Sequence, residues 1–353
     1  MSDIGSENKG KVLVGMSGGV DSCVAALLLV QQGYTVTGGT MDIGSASSSR
    51  DIADAADAAS RMGIEHITVD LKESFRENVI EHFMREYEAG RTPNPCVVCN
   101  RTIKMGALMD KALELGFDHI ATGHYAGIVR NLSTGKSELH KASYLPKDQS
   151  YVLYNLSQER LSHLLLPLGE LSKDEVRKIA SEHSLVDPHR GESQDICFIP
   201  DGDYAAYVTD KTGRESVPGD FIDTSGNVIG RHKGITRYTV GQRKGIGIAA
   251  DQPLYVLAKD AVRNTVTLGP ESELFRTDLV VTDVNLIDRN EEVAGKRFQV
   301  KIRYSAKPSD AKIAEFSDGS AKIVFDAPQR ALAPGQSAVF YDGTRLVGGG
   351  VIQ

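Results

Sequence analysis

Apolar and polar positions divide the chain into two textures. From Lys11 to about Tyr125, short apolar runs alternate with longer stretches whose apolar residues recur at helical spacing. Val12, Leu13 and Val14 read as a buried strand, SGGVDS as a tight glycine turn, and Val24 to Gln32 as an apolar helix stopped by Gly33. The same pattern predicts strands over Tyr34–Met41, Ile64–Val69 and Asp118–Thr122, with helices over Ser49–Met62, Glu73–Ala89 and Ile103–Leu115. Arg91 to Arg101, with two prolines, reads as a loop. Strand and helix alternating in this way predict an α/β fold, a parallel sheet with helices on both faces. Ligands of such sheets sit at the carboxyl ends of the strands, so SGGVDS, Met41 and Gly123-His124 are expected to share one crevice.

Beyond Tyr125 the pattern shortens. Arg130 to Ala142 predicts a hairpin turning at Ser133-Thr134-Gly135, followed by helices over Gln158–Leu165 and Lys173–His183 and the loop HRGESQDICFIP. From about Tyr207 short β patterns broken by Gly, Pro and Asp take over. Three domains are expected: residues 1–206 catalytic, 207–273 a small central β domain, and 274–353 a β-barrel.

The glycine turn carries the first chemistry. Gly18 and Gly19 let the backbone approach a ligand, and a helix N-terminus behind them presents free N–H groups and a favourable dipole to an anion. Ser17 and Ser22 add hydroxyls, while Asp21 is placed either to cap the helix or to help hold a metal ion. Neither the Lys of GxxxxGK[ST] nor the spacing of GxGxxG is present, which argues against a P-loop NTPase and a nicotinamide dehydrogenase. The turn resembles the SGGxDS pyrophosphate loop of enzymes that cleave ATP between its α and β phosphates.

At 353 residues and a net charge of -7 the chain has the character of a soluble protein. No apolar stretch approaches the length of a membrane span and MSDIGSENKG lacks the apolar core of a signal peptide, so a cytoplasmic, membrane-free protein is expected. The four cysteines then read as thiols, catalytic groups or metal ligands rather than structural bridges. Cys23 reads as core. Cys99, just ahead of a helix opening near Thr102 and beside Arg101 and Lys104, is expected to have its pKa lowered below about 8.5. Cys197, between apolar Ile196 and Phe198, reads locally as a buried core thiol. Cys96 and Cys99 form a CxxC without a second one or a His pair, a weak zinc signal. Arg231, Lys233, Arg237, Arg243 and Lys244 cluster between Gly230 and Ala250 with no acid among them, a local basic face or a plain solvated loop.

Taken in order, GMSGGVDS, RTPNPCVVCN, ATGHY, KDQSY, DICFIP, GQRKGIGI and PGQSAVFY closely resemble the bacterial tRNA-specific 2-thiouridylases over nearly the whole chain. The resemblance implies an adenine nucleotide α-hydrolase-like domain, a central β domain and a C-terminal β-barrel. It implies an enzyme that adenylates the uracil 2-oxygen of a wobble uridine with ATP and Mg2+ and replaces it with sulfur. On that resemblance, Gly15, Met16, Ser17, Gly18, Gly19, Val20, Asp21, Ser22, Met41 and Gly123 would bind ATP. Asn94, Pro95 and Cys96 would meet the target base, and His124, Lys147, Asp148, Gln149, Arg303, Tyr304 and Gln336 would contact tRNA. Cys197 would carry a persulfide fed by a sulfur-relay protein or a cysteine desulfurase, and Cys99 would resolve it, leaving a Cys99–Cys197 disulfide.

Some relatives carry Asp where this chain has Cys96, so three thiols accompany one site. That set opens a second route, a 4Fe-4S cluster on Cys96, Cys99 and Cys197. A more distant alternative is a pyrophosphate-loop amidating synthetase, which needs neither Cys99 nor Cys197. An RNA-binding protein that kept the fold without catalysis would bind tRNA without forming AMP.

Overall fold

The computed structural model describes residues 9–185, 196–199, 202–213 and 216–353. The backbone divides into two units, one built on residues 1–79, 96–198 and 344–347, the other on 80–95, 199–343 and 348–353.

The first unit is organised by a parallel sheet. β1 (Lys11–Gly15) runs into helix α1 (Val20–Gln31), β2 (Thr35–Asp42) into helix α2 (Ser48–Met62), and β3 (Glu65–Asp70) follows at the sheet edge. β1 lies between β2 and the strand His119–Thr122, pairing Val12 with Val36 and with His119 in parallel register. The strand Leu164–Leu165 extends the sheet beyond His119–Thr122. It replaces the end of the helix expected over Gln158–Leu165, which stops at Ser162. Val12, Leu13 and Val14 are fully buried, as a central parallel strand covered on both faces requires. α1 packs over Val12 and Val14 through Cys23, Val24, Ala25, Ala26 and Leu29, so Cys23 is a core residue. The expected hairpin is present as strands Ala126–Arg130 and Ser137–Lys141.

The segment read as a loop over Arg91–Arg101 differs. A helix starts at Pro95 and runs to Cys99, and continues with π-helical geometry over Asn100–Leu108 before an α-helical end at Met109–Glu114. Proline suits the first turn of a helix, whose N–H groups have no intrahelical partner. Pro95 therefore begins the helix that it was expected to exclude. Gly106 leaves helical geometry at φ -102° and ψ -106°, and a Cβ there would sit a tight 3.0 Å from the Arg101 carbonyl oxygen, so the widened turn favours glycine.

The second unit contains two β arrangements. Strands Tyr255–Asp260, Thr265–Gly269, Gly219–Ile222 and Val228–His232 form a four-stranded sheet around Phe221, Val256 and Val266. Six further strands close into a barrel, in the order Phe275–Leu286, Ser320–Arg330, Ser309–Ser317, Arg297–Lys301, Ser337–Asp342 and Arg345–Ile352. Pairing of Val281 with Ile352 and Leu286 with Gly348 seals it, which removes the exposed edges of an open sheet. A helix at Tyr204–Thr212, capped by Asp203, stands where sequence texture pointed only to β structure. Among the described residues no helix is long and apolar enough to cross a membrane.

Candidate active site

A cavity of about 190 Å³ opens at the carboxyl end of β1, lined by Gly15, Met16, Ser17, Asp21, Ser22, Gly39, Met41, Lys104, Leu108, Thr122, Gly123, His124 and Gln149. The predicted crevice is therefore real: Ser17, Asp21 and Ser22 of the glycine turn face one space with Met41 and Gly123-His124, whereas Gly18, Gly19 and Val20 do not line it. It is smaller than the about 300–1,000 Å³ of pockets that enclose a whole drug-sized ligand, so it suits a phosphate and its immediate neighbours with the remainder lying in the open crevice.

The turn is built from within. Gly18 has φ 68°, a conformation that favours glycine, and Gly19 at φ -81° forms the N-cap with no side-chain cap. Asp21 is thus not the cap. The Ser22 hydroxyl donates to the Gly19 carbonyl at 3.1 Å and accepts from the Ser17 N–H at 3.3 Å, fixing the loop across its mouth. The N–H groups of α1's first turn remain without intrahelical partners, the arrangement that binds anions. Thr40 donates to the Met16 carbonyl at 2.9 Å, and its oxygen is 2.8 Å from His66 Nε2, so His66 carries the proton that Thr40 accepts.

Asp21 has an occupation that neither expectation included. Its Oδ1 accepts from Lys173 Nζ at 2.7 Å and from the Tyr125 hydroxyl at 2.8 Å. Lys173 is the first residue of a helix capped by Ser172 and Glu175 and is only 5% exposed. The pair pins the first turn of α1 to an element 152 residues away. Lys173→Met is expected to lower unfolding free energy by about 2 kcal/mol, less than the 3–5 kcal/mol of a fully buried broken pair because water reaches Asp21. Chemical denaturation measures it, and a change within about 0.5 kcal/mol would sink this role.

Among the described residues Asp21 is the lone carboxylate lining the cavity, and a nucleotide's magnesium ion is commonly held by one or two carboxylates plus phosphates. Asp21 therefore fits an ion that arrives with ATP. The cluster fares differently. Among the described residues no group of three or more His, Cys, Asp or Glu is gathered to hold a metal ion, so Cys96, Cys99 and Cys197 do not form a 4Fe-4S cradle here.

The thiols nevertheless share one electrostatic neighbourhood. Burial is the largest influence on Cys99 and pushes its pKa up to about 12; the Lys104 charge opposes this, while Cys197 and Cys96 add to it. The expected lowering is overturned because the helix starts at Pro95, leaving Cys99 inside the helical run rather than at its positive end. Burial also raises the Cys96 and Cys197 thiols, with Lys104 opposing in both. Solvent still reaches these two, so Cys197 is not the inert core thiol its neighbours suggested. Phe198 anchors its segment edge-on against Phe75 at 5.6 Å.

Since only thiolate reacts, Cys99 alkylation by iodoacetamide is expected to climb about tenfold per pH unit from about pH 7 to 9 without a plateau. Cys96 and Cys197 should label first and Cys23 not at all. Peptide mass spectrometry follows each site, and a Cys99 plateau near pH 8 would contradict the burial.

Other predicted residues fall into separate groups. His124 is buried with its Nδ1 2.7 Å from the Thr122 hydroxyl, and burial, aided by Lys104, holds its pKa well below the ordinary value. It is a neutral side chain in the pocket wall. Gln149 lines the pocket and accepts from the Tyr125 N–H at 2.9 Å. Asp148 is buried and accepts from Ala142 N–H, Ser150 N–H and the Ser150 hydroxyl, so it shapes the loop behind Lys147, which is half-exposed. In the second unit, Gln336 donates to the Thr92 carbonyl at 2.8 Å and so supports the segment leading to Asn94 and Pro95. Tyr304 is 43% exposed and lies under Lys301, and Arg303 donates to the Arg330 carbonyl. Arg231, Lys233, Arg237, Arg243 and Lys244 are all exposed, with Arg231 paired to Asp220. Sequence reasoning missed the supports Thr40, His66, Tyr125 and Lys173. Their partners are distant in sequence, so no local spacing could have signalled them.

The tRNA methyl transferase HUP domain model matches residues 10–201, its PRC-barrel domain model residues 206–270, and the aminomethyltransferase β-barrel domain model residues 276–352. The chain is 47% identical to a protein of Acetivibrio thermocellus named tRNA-specific 2-thiouridylase MnmA, over 98% of this chain and 100% of the relative. Proteins of the same name from Clostridioides difficile and Treponema denticola are each 46% identical over 97% of this chain and 98% of the relative. With the glycine turn, the pocket and the thiols in place and this likeness running through all three matched regions, the chain belongs to the tRNA-specific 2-thiouridylase family.

Proposed function

We propose that this protein catalyses the ATP-dependent 2-thiolation of the wobble uridine of tRNA, with sulfur passing through a persulfide on Cys197. The observation that carries the reading is the joining of an anion-binding turn to three thiols through Lys104, which lines the pocket and acts on Cys96, Cys99 and Cys197. The matched models carry a methyltransferase label, whereas thiols beside a nucleotide pocket suit sulfur transfer, as the relatives' names do.

The chemistry follows from what cannot leave. A carbonyl oxygen is a poor leaving group, so the uracil O2 attacks the α-phosphorus of ATP, the bond to the β-phosphate bridge breaks, pyrophosphate departs and the N3 proton is lost. Gly15 to Ser22 hold the phosphates, Met41 and Gly123 bound the nucleotide, and magnesium, when bound, neutralises phosphate charge. The terminal sulfur of the Cys197 persulfide then bonds to C2 as the C2–O bond breaks and AMP leaves. Cys99 thiolate attacks Cys197 Sγ, forming a Cys99–Cys197 disulfide and releasing the thiocarbonyl, whose N3 regains a proton. A dithiol reductant restores both cysteines, and a sulfur-relay protein or a cysteine desulfurase reloads Cys197. The high pKa of Cys99 suits its place in this sequence, because a protonated resolving thiol does not discharge the persulfide early.

Asn94, Pro95 and Cys96 precede the reacting thiol and are assigned to the target base. His124, Lys147, Asp148, Gln149, Arg303, Tyr304 and Gln336 are assigned to tRNA, Asp148 through the loop it shapes. A single-stranded anticodon loop can present its base to a pocket, which a duplex cannot. Residues 1–206, 207–273 and 274–353 are the corresponding catalytic, central and barrel domains.

Purified protein incubated with MgATP, a persulfide donor and an unmodified tRNA transcript bearing a wobble uridine should yield 2-thiouridine and AMP in equal amounts, read by nucleoside mass spectrometry. Product should persist in Cys96→Ala. Product only after anaerobic iron–sulfur reconstitution, and lost in Cys96→Ala, would overturn the persulfide route; AMP release with no 2-thiouridine under either condition would overturn the thiolation.

A further inference from the structure

Lys104 has no role in the assignments above beyond its charge, yet its placement is unlike that of any other cation at the site. It lies on the π-helical segment Asn100–Leu108, a wide turn past Cys99, and among the described residues is the one cationic residue lining the cavity with Gly15, Ser17 and Asp21. Its side chain is half-buried, and among the described residues it takes part in no ion pair. The nearby alternative, Lys173, is committed to Asp21. A partly desolvated ammonium without a counter-ion is unfavourable, and an anion entering the cavity relieves it. The remaining donors at that anion's place, the Ser17 hydroxyl and the first-turn N–H groups, carry no net charge.

Local backbone geometry supports a built position. The π widening and the non-helical Gly106 both fall within two residues of Lys104, and the Arg101 carbonyl would press closely on a Cβ at Gly106. Extra turns of this kind re-aim a side chain relative to a regular helix. The same lysine faces the other half of the reaction, since Cys96, Cys99 and Cys197 all feel its charge.

We propose that Lys104 binds the α-phosphate of ATP and of the AMP-activated uridine, one cation standing between the glycine turn and the three thiols and serving both adenylation and sulfur transfer. This rests on the thiolation reading. In the first step it pairs with the phosphate as pyrophosphate departs. In the second it holds AMP as the C2–O bond breaks and the leaving group takes the electron pair. Once AMP has gone, the charge is free to favour the Cys99 thiolate that resolves the disulfide.

The test compares full-length wild type with Lys104→Met and Lys104→Arg. Calorimetric titration with AMP and separately with adenosine isolates the phosphate: Lys104→Met should weaken AMP about tenfold or more, leave adenosine within about twofold, and be largely restored in Lys104→Arg, in keeping with a charge-assisted hydrogen bond. Iodoacetamide labelling of Cys197 at about pH 8 should slow about threefold or more in Lys104→Met and recover in Lys104→Arg. Equal losses for AMP and adenosine, or no loss for AMP, would overturn phosphate binding; unchanged Cys197 labelling would overturn the shared cation. Matching thermal midpoints exclude misfolding, and a misfolded Lys104→Met leaves Lys104→Ala to be measured in the same way. These readouts need no tRNA, so a wild type that makes no 2-thiouridine would sink the thiolation reading while the AMP and labelling results still decide the role of Lys104.

Discussion

Cys197→Ser is expected to lower 2-thiouridine formation by more than about 10³-fold while AMP release with MgATP and tRNA continues. Serine oxygen cannot carry a persulfide, and no atom of Cys197 lines the pocket in which the nucleotide would react. Cys99→Ser should stop turnover by a similar factor at a different stage. Sulfur reaches the activated carbon but the adduct is not resolved, so tRNA should accumulate in a disulfide link to Cys197 that dithiothreitol releases. A gel shift under non-reducing conditions separates the two. If exogenous sulfide attacked the activated uridine directly, both variants would keep near wild-type product, and the persulfide relay would be wrong. Their combined effect should be close to that of Cys197→Ser alone, because residues acting in one sequence are not additive.

Gly123→Ala is expected to weaken nucleotide binding by about 10²-fold and thiolation at least as much. A Cβ on Gly123 would stand 2.7 Å from the Asp21 carbonyl carbon and 2.8 Å from the Ser22 nitrogen. Both are backbone atoms of the anion-binding turn, so nothing flexible can yield. The first turn of α1 must move, and its N–H groups lose their aim. Gly127→Ala is the control, since its nearest neighbour, His140 Cβ, is at an ordinary 3.6 Å. Calorimetry with α,β-methylene-ATP reads the affinity of each. An unchanged Gly123→Ala would show that the turn does not depend on this close approach.

Much of the site was legible because its signals are local. A buried apolar run, two glycines and a hydroxyl-rich helix start specify strand, turn and anion-binding N-terminus through backbone chemistry alone, and they gave β1, α1 and the loop between them. Alternation of strand and helix patterns, with carboxyl-end logic, placed Met41 and Gly123 in the same crevice as that turn. The segment from Arg91 to Arg101 was misread because proline suits both an irregular loop and a helix's first turn, and only packing decides between them. The π geometry around Lys104 and Gly106 left no periodic signature, being a local departure from the period that pattern reading detects.

What the sequence determined by itself was the α/β class, the pyrophosphate turn, the β character of the C-terminal half and the residue types available for chemistry. Tertiary structure alone decided which of those groups are charged, aimed and paired. Asp21 was free in sequence to cap its helix until folding paired its Oδ1 with Lys173 and Tyr125 instead. Cys99 had basic neighbours that favour a thiolate until burial raised its pKa to about 12. Asp148 sits in a motif read as a tRNA contact, and only folding shows its carboxylate holding its own loop. Turn and strand preferences arise from atoms a few bonds apart, whereas desolvation and charge pairing depend on the distances that folding sets between residues far apart in the chain.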